Sequence, residues 1–434
     1  MTFSPDAVAI IGFIVLFALM LLRVPVGMAM GLVGVTGFGY LVGAEPALKM
    51  VGQTSMRIVT DYTFGVIPMF LLMGAFVSRS GMSRELFHAA NTFVGHRRGG
   101  LGIATIAACA GFAAISGSSV ATAATFSTVA YPEMRRFDYP QSFATGVIAA
   151  GGTLGAMFPP SIVLAVYGLI TQQDIGRLFI AGVLPGLLAV SMYMATISVI
   201  GRVRPRFLPA APRSSWRERW QAAREVWAPL TLFAFVIGGL YGGLFTPTEA
   251  GGMGAGGAFL ISVARRRLSG PDIRESLLQA TRTAAAVFTV LIGAILFGYF
   301  LTVTQVPQKV TEFITGMGMG RYGVLAVIML MYLALGCLMD SMAMIILTVP
   351  IIFPVITSLG FDPVWFGIII VMTVELGLIH PPVGMNVFVI KTVVKDVSFS
   401  TIFLGVIPFV LTDITRLVVL IAFPAIALWL PGRM

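Results

Sequence analysis

Two short polar segments interrupt long apolar runs and carry residues able to bind an ion. Ser116-Gly117-Ser118-Ser119 divides the apolar segment 100–131, and Met339-Asp340-Ser341 divides the segment 322–356. The first segment offers hydroxyl and carbonyl oxygens, and the second adds a carboxylate. Oxygen ligands of this kind suit a hard cation such as Na⁺. Further hydroxyls near these segments come from Thr122 and Thr348.

Two double prolines lie inside other apolar runs, at Phe158-Pro159-Pro160-Ser161 and at His380-Pro381-Pro382-Val383. A helix must break there, because each proline lacks an N–H donor and clashes with the preceding turn. The carbonyls before a break attract a cation, and the amides after it attract a carboxylate. Glycines that allow close backbone approach near these segments are Gly117, Gly151, Gly152, Gly155, Gly377 and Gly384.

Charged residues in apolar surroundings are costly and are therefore candidates for function. Asp340 is expected either to bind a cation or to cap a helix. Glu375 is expected either to face a cavity or to make a structural hydrogen bond. Glu249 in Thr-Pro-Thr-Glu-Ala is expected to be an N-terminal cap.

Polar residues near the second break have open alternatives. His380 is either a neutral hydrogen-bond partner or a proton carrier. Asn386 is a candidate contact for substrate or ion. Asp413 and Arg416 are three residues apart, which predicts an ion pair within the membrane.

The composition excludes a water-soluble domain. Of the 434 residues, 57% are hydrophobic and 11% are charged, whereas a soluble domain carries roughly 25% charged residues. The net charge of +10 comes from basic clusters at the ends of apolar runs, which is typical of membrane topology and not of a nucleic-acid-binding face. The chain is therefore predicted to be an all-α polytopic membrane protein.

Apolar runs that can cross a bilayer, of about 20 residues each, define ten predicted spans. The segments 100–131 and 322–356 are too long for one crossing, and their polar breaks predict re-entrant helical hairpins covered by protein or water. The predicted spans are 7–22, 24–43, 63–80, 141–170, 178–203, 226–245, 247–264, 278–303, 363–390 and 401–430.

The basic residues predict the orientation. With the amino terminus outside and each hairpin entering and leaving on one side, 21 of the 28 Lys and Arg residues fall in cytoplasmic segments, as the positive-inside rule requires. Both termini are then periplasmic in a bacterial inner membrane. Within the most basic segment, 216–227 is predicted to be an amphipathic surface helix or a solvated linker.

The two halves of the chain share a pattern. Leu71-Leu72-Met73-Gly74-Ala75 precedes the first hairpin, Val290-Leu291-Ile292-Gly293-Ala294 precedes the second, and Leu-Gly-x3-Pro-Pro follows each. Five spans per half would invert the second half, and inverted repeats with broken helices are typical of secondary transporters. The predicted division is 1–205 for the first repeat with broken helix 141–170, 206–225 for a cytoplasmic linker, and 226–434 for the second repeat with broken helix 363–390.

Four segments together resemble the large membrane subunit of TRAP transporters, the tripartite ATP-independent periplasmic family. They are S-G-S-S-V-A-T (116–122), G-A-M-F-P-P-S (155–161), T-P-T-E-A (246–250) and G-L-I-H-P-P-V-G-M-N (377–386). The resemblance covers essentially the whole chain. It implies a sodium-driven elevator-type importer of the ion transporter superfamily type, acting on small organic anions such as C4-dicarboxylates, sialic acid or other sugar acids.

The same resemblance implies two partners, a small four-helix membrane subunit and a periplasmic substrate-binding protein. No enzyme activity is expected, and no cofactor besides Na⁺ as the coupling ion. The sequence contains no G-x-x-x-x-G-K-[ST] motif for ATP, which agrees with ion-driven transport.

The resemblance also implies where the ligands bind. One sodium site would lie between the first hairpin tip and the first break, and the other between the second tip and the second break. The residues implied are Ser116, Ser118, Ser119, Gly155 and Pro159 for the first site, Met339, Asp340, Ser341, Gly377 and Pro381 for the second, and Gly117, Pro160, Ser161, Gly384 and Asn386 for the substrate.

Two other functions remain compatible with the sequence. One is a related anion and sodium symporter, or a sodium/proton exchanger, that works alone. The other is an intramembrane hydrolase with Ser118 as nucleophile and His380 as base, which needs the two side chains within hydrogen-bond reach. The repeated pattern favours transport, because a hydrolase would leave the repeat unexplained.

Overall fold

The computed structural model of the chain describes residues 3–316, 318–337 and 339–433, and within these ranges every regular element is helical. The helices up to the basic segment are α1 (Pro5–Leu21), α2 (Val26–Val42), α3 (Ala44–Thr60), α4 (Val66–Arg79), α5 (Met82–Val94), α6 (Gly100–Ser116), α7 (Ser119–Arg136), α8 (Gln141–Thr153), α9 (Ile162–Thr171), α10 (Ile175–Val203) and α11 (Trp216–Glu225).

The remaining helices follow the basic segment. They are α12 (Trp227–Tyr241), α13 (Pro247–Ala264), α14 (Gly270–Val303), α15 (Val306–Gly316), α16 (Arg321–Gly336), α17 (Ser341–Ser358), α18 (Pro363–Gly377), α19 (Met385–Val393), α20 (Phe399–Ala422) and α21 (Ala425–Leu428). Short 3-10 turns occupy Tyr62–Gly65, Leu154–Ala156 and Pro431–Arg433.

Five helical segments are long and apolar enough to cross a membrane by themselves: Tyr62–Arg79, α10, α14, α17 and α20. Six further apolar helices have 10–17 residues, and four of these adjoin a tip or a break. The apolar chain is therefore divided into more and shorter helices than ten simple spans. All-helical architecture is confirmed.

Three helices, α3, α5 and α15, were not predicted. Each of them is amphipathic, with apolar residues on one face and polar residues on the other. None therefore contains the continuous apolar run that predicts a membrane span. The predicted surface helix at 216–227 is present as α11, but it ends at Glu225, and α12 departs from it at 46°. Trp216 and Trp220 are exposed on it.

The helices α6 and α7 run antiparallel. The rings of Phe112 on α6 and Phe126 on α7 are 5.8 Å apart, and a Cβ on Gly102, at the start of α6, would lie 3.1 Å from the ring of Phe143, which follows α7. In the second pair, the rings of Tyr322, at the start of α16, and Phe361, just after α17, are 5.8 Å apart. Each pair therefore begins and ends at the same level, which is the geometry of a helical hairpin.

Both double prolines interrupt their helices. The first break separates α8 and its 3-10 turn from α9, and the second separates α18 from α19. At the first break, Ser161 donates its hydroxyl to the carbonyl of Ala156 at 2.5 Å. At the second break, the backbone N–H of Asn386 donates to the carbonyl of Leu378 at 3.1 Å. The helices are therefore interrupted at both double prolines, and each interruption is bridged by a hydrogen bond.

The helices pack in two groups, each drawn from both halves of the chain. The first group contains α1 to α4 and α12 to α14, and the second contains the two hairpins, the two broken helices, α10 and α20. Within the first group α2 packs closely on α14, because Gly27 and Gly34 leave no room for a side chain against Val290 and Leu296, as is usual in membrane helix packing.

The basic segments meet at one end of the molecule. Arg265 forms an ion pair with Glu85 at 2.7 Å, and Arg79 pairs with Glu275 at 3.1 Å. The segment after α10 contacts the same end through a bond from Ala211 N to the carbonyl of Gly95. The segments that were predicted to be cytoplasmic are thus neighbours in space.

Candidate functional site

The first hairpin tip packs directly against the first break. A Cβ on Gly155 would lie 2.5 Å from the carbonyl oxygen of Ser118, and a Cβ on Gly117 would overlap the carbonyl oxygen of Pro160. Gly117 also has a φ of +60°, a conformation that glycine adopts without strain. The structure therefore brings together two of the residues implied for the first sodium site, Ser118 and Gly155.

Hydroxyl groups surround this tip. Ser118 accepts from the amide of Ala121 at 3.3 Å as the cap of α7. Thr122 donates to the Ser118 carbonyl at 2.8 Å and lies 3.4 Å from the Ser116 hydroxyl. Pro159 is buried beside them.

The second tip contacts the second break in a similar way. A Cβ on Gly377 would lie 2.7 Å from the Cα of Gly336, and the Cys337 thiol donates to the Pro381 carbonyl at 3.1 Å. The contact thus falls just before Met339 and Asp340. Thr348 lies two turns beyond this tip, where its hydroxyl is 2.5 Å from that of Tyr332.

The two breaks differ in their surroundings. Pro159 and Pro160 are buried, whereas Pro381 and Pro382 are exposed. The related sequence patterns therefore do not give equal burial. Gly384, with a φ of +58°, is the N-cap of α19 directly after the exposed segment.

Each tip also contacts the broken helix of the other half of the chain. The second helix of the first hairpin, α7, packs on α19, and the second helix of the other hairpin, α17, packs on α9. A cavity of about 130 Å³ lies between these elements. Its lining residues are Leu71, Gly117, Ser118, Ser119, Val120, Ile162, Val163, Thr283, Val287, Asp340, Ser341, Met342, Leu378 and Met385.

Four helix N-termini face this cavity: those of α7, α9, α17 and α19. Helix N-termini carry unpaired N–H groups and a partial positive charge, and they attract anions. Asp340 caps α17, because its carboxylate accepts from the amides of Met342 at 3.0 Å and Ala343 at 3.3 Å. The capping alternative for Asp340 is thus present, and Asp340 is also one of the residues that line the cavity.

Glu375 connects the two hairpin tips. Its Oε2 accepts from the Ser119 hydroxyl at 2.5 Å, and its Oε1 accepts from the Ser341 hydroxyl at 3.0 Å. The side chain is buried, and it does not line the cavity. The sequence marked Glu375 as a carboxylate in an apolar run, but not that it bonds both tips.

Most residues implied for the substrate lie away from the cavity wall. Gly117 lines it, whereas Pro160, Ser161, Gly384 and Asn386 do not. The Ser161 hydroxyl is used twice within the first break. It donates to the carbonyl of Ala156, and it accepts from the backbone amide of Leu164 at 3.2 Å. Asn386 is fully buried behind the tips.

A buried ion pair supports the first broken helix. Arg416 lies 2.9 Å from Asp413, as predicted. Tyr193 donates to Asp413 at 2.7 Å and lies 3.2 Å from the hydroxyl of Thr153, the last residue of α8. Sequence spacing revealed the ion pair but not its link to the break, because Tyr193 and Thr153 are distant in the chain.

The remaining charged candidates have local roles. Glu249 and Thr246 form a capping box, with the Thr246 amide donating to Glu249 at 2.8 Å, which confirms the expected cap. His380 Nδ1 lies 2.7 Å from the carbonyl of Pro381. Neither Ser118 nor His380 hydrogen-bonds the other in the described part of the chain, so a nucleophile and base pair is not formed.

Comparison with known proteins agrees with this architecture. Residues 13–426 match the family described as the tripartite ATP-independent periplasmic transporter, DctM component. The C4-dicarboxylate TRAP transporter large permease protein DctM of Pseudomonas aeruginosa is 40% identical over 86% of each chain. The sialic acid TRAP transporter large permease protein SiaM of Vibrio cholerae is 31% identical over 88% of this chain and 90% of that one.

A solved structure shows the same fold. The YdaH transporter of Alcanivorax borkumensis superposes with a TM-score of 0.60 at 15% identity, covering 89% of this chain and 90% of that chain. The family match and the relatives concern transporter permease subunits, which are not enzymes. The chain therefore belongs to the DctM component family of the tripartite ATP-independent periplasmic transporters, as a multi-pass membrane permease subunit.

Proposed function

We propose that this chain is the large permease subunit of a sodium-coupled, binding-protein-dependent importer of small organic anions in a bacterial inner membrane. The observation that carries the proposal is the cavity onto which the N-termini of α7, α9, α17 and α19 converge. Four partial positive charges at one small cavity favour an anion. The wall from Leu71, Val287 and Ile162 is apolar and suits a short carbon skeleton.

Coupling to a cation follows from the same wall. Asp340 places a carboxylate in the lining, and a second carboxylate beside it would be repelled. A cation bound at the tip removes this repulsion, so that substrate and ion bind better together than apart. We assign one sodium ion to the contact of the first tip with the first break, and another to the contact of the second tip with the second break.

The names of the relatives guide the choice of substrate. C4-dicarboxylates and sialic acid, named for the Pseudomonas and Vibrio proteins, both carry a carboxylate. We propose a carboxylate-bearing substrate for this chain, captured by a periplasmic binding protein and transferred with the help of a small membrane subunit.

The packing suggests how the substrate crosses. The cavity lies between the first helix group, which contributes Leu71 of α4 and Thr283 of α14, and the second group, which contributes both tips. The reciprocal contacts of α7 with α19 and α17 with α9 support an inverted-repeat relation between the halves. We propose that the second group carries ion and substrate as one unit past the first, as in an elevator.

Transport by reconstituted components tests the proposal. Proteoliposomes containing this chain, the small subunit and the binding protein should take up radiolabelled succinate or sialic acid when Na⁺ is outside, without ATP. Replacing Na⁺ with choline should abolish uptake. Ser118→Ala should weaken sodium activation, whereas Ser191→Ala, at an exposed hydroxyl, should not.

The alternatives give different results in the same assay. A stand-alone symporter would transport substrate without the binding protein. A sodium/proton exchanger would move protons against Na⁺ without any organic substrate. Uptake at the same rate with choline would contradict sodium coupling itself.

A further inference from the structure

The buried polar cluster at the junction of the tips contains a carboxyl group with no counter-charge beside it. Glu375 is 1% exposed, and hydroxyls of Ser119 and Ser341 are its hydrogen-bond partners. Arg416 pairs with Asp413 at 2.9 Å, so this buried pair is neutral in sum and leaves no cation for Glu375. Among the described residues no Lys, Arg or His forms an ion pair with Glu375. A buried carboxylate without a counter-charge costs several kcal/mol.

An unpaired buried amide lies beside the same cluster. Asn386 is fully buried, and its Oδ1 and Nδ2 have no hydrogen-bond partner in the part of the chain that the structure describes. A Cβ on Gly152 would lie 3.2 Å from Asn386 Nδ2 and 3.3 Å from the Ser119 carbonyl oxygen. The Asn386 side chain and the first tip therefore both lie next to Gly152. Buried polar atoms are nearly always paired, so the unpaired side chain of Asn386 is available to bind a ligand at the first tip.

We propose that Glu375, Ser119, Ser341 and Asn386 form a buried site for Na⁺, distinct from the two sodium sites assigned to the tip and break contacts. One carboxylate with hydroxyl, carbonyl and amide oxygens is a donor set for a hard cation. The cation supplies the charge that the cluster lacks.

This site would join the two halves of the chain. Its ligands come from α7, α17, α18 and α19, so it is complete only when both tips are seated. Bound Na⁺ would therefore favour the arrangement in which the two tips enclose the cavity. The inference rests on the proposed sodium coupling, and the experiment separates the two.

Direct binding of ²²Na⁺ to the purified full-length chain tests the site. Glu375→Gln keeps the size of the side chain and one carbonyl acceptor, replaces the other acceptor with an amide donor, and removes the charge. This variant should bind one equivalent of Na⁺ fewer than the wild type at saturation. Glu45→Gln is the matched control, because Glu45 is an exposed partner of Lys49, and it should leave the number of bound ions unchanged.

A second variant keeps the test decisive if Glu375→Gln fails to fold. Asn386→Leu removes an amide that makes no side-chain hydrogen bond, so its unfolding midpoint without Na⁺ should be unchanged or higher. Its sodium concentration for half-saturation at this site should rise at least about tenfold, which corresponds to ~1.4 kcal/mol.

The outcomes are distinguishable. Wild-type sodium binding that is unchanged in both Glu375→Gln and Asn386→Leu overturns the buried site, leaves the proposed sodium coupling standing, and assigns neutralisation of Glu375 to a proton. A wild-type chain that binds no Na⁺ at all overturns the site and the sodium coupling together.

Discussion

Asp340 caps α17, because its Oδ1 accepts from the amides of Met342 and Ala343. It is also one of the residues that line the cavity, and we propose that its charge takes part in sodium coupling. Sequence reasoning treated capping and cation binding as alternatives. Because a cap uses hydrogen-bond acceptors and coupling uses the charge, substitutions can separate the two.

Asp340→Asn and Asp340→Ala make this separation. Asparagine caps a helix about as well as aspartate, so Asp340→Asn should keep the unfolding midpoint and raise the sodium concentration for half-maximal uptake, by about tenfold or ~1.4 kcal/mol. Asp340→Ala should in addition lose roughly 1 kcal/mol of stability. The measurements are thermal unfolding in detergent and uptake into proteoliposomes against sodium concentration.

The two variants also show whether Asp340 has only a structural role. If Asp340→Asn transports with the sodium curve of the wild type, the carboxylate only caps α17. The second sodium assignment would then lose its single charged ligand.

At the scale of elements, the tips depend on glycines that let two backbones touch. Gly155 approaches Ser118, Gly117 approaches Pro160, and Gly377 approaches Gly336. Hairpin and broken helix are thus held at a spacing that no side chain would permit. The proposed ion sites require this spacing, so we expect backbone contact and ion binding to be linked.

Gly155→Ala tests this link. A Cβ there would lie 2.5 Å from the Ser118 carbonyl, so the tip must shift, and overpacking of this kind costs typically 1–3 kcal/mol. We expect a lower unfolding midpoint and a loss of sodium-dependent uptake. Gly256→Ala is the control, since nothing lies within 4 Å of its Cβ position, and alanine there should be neutral or stabilise α13 slightly.

An unchanged unfolding midpoint in Gly155→Ala would show that the tip can move to make room for the methyl group without loss of stability. The spacing between the tip and the break would then not be fixed. Uptake with normal sodium dependence in that variant would separate the backbone contact from ion binding.

How far the elements were predictable depends on the range of the signal. Proline chemistry and apolar run length are local, and they gave the breaks near Pro159 and Pro381 and the hairpin segments. Amphipathic helices such as α3 and α5 were not predicted, because membrane spans are predicted from continuous apolar runs. The bonds of Glu375 to Ser119 and Ser341 join residues 256 and 34 positions apart, and no local pattern encodes which partner a buried carboxylate meets.

At the scale of the whole molecule, charge and packing agree. The segments richest in arginine lie together at one end, linked by Arg265 with Glu85 and by Arg79 with Glu275. The opposite end holds contacts such as that of Lys309 with Asp6. From the positive-inside rule we expect the arginine-rich end to face the cytoplasm.

Labelling of single cysteines tests this orientation. Pro212→Cys lies in the exposed segment before α11, and Gln53→Cys lies on the exposed face of α3 at the other end. In right-side-out vesicles a membrane-impermeant maleimide should modify Gln53→Cys at once and Pro212→Cys only after permeabilisation. The native thiols of Cys109 and Cys337 are buried, so the unmodified chain should give a low background and serves as the control. Labelling in the reverse order would place the arginine-rich end in the periplasm, and the binding protein would then have to dock on a strongly basic surface.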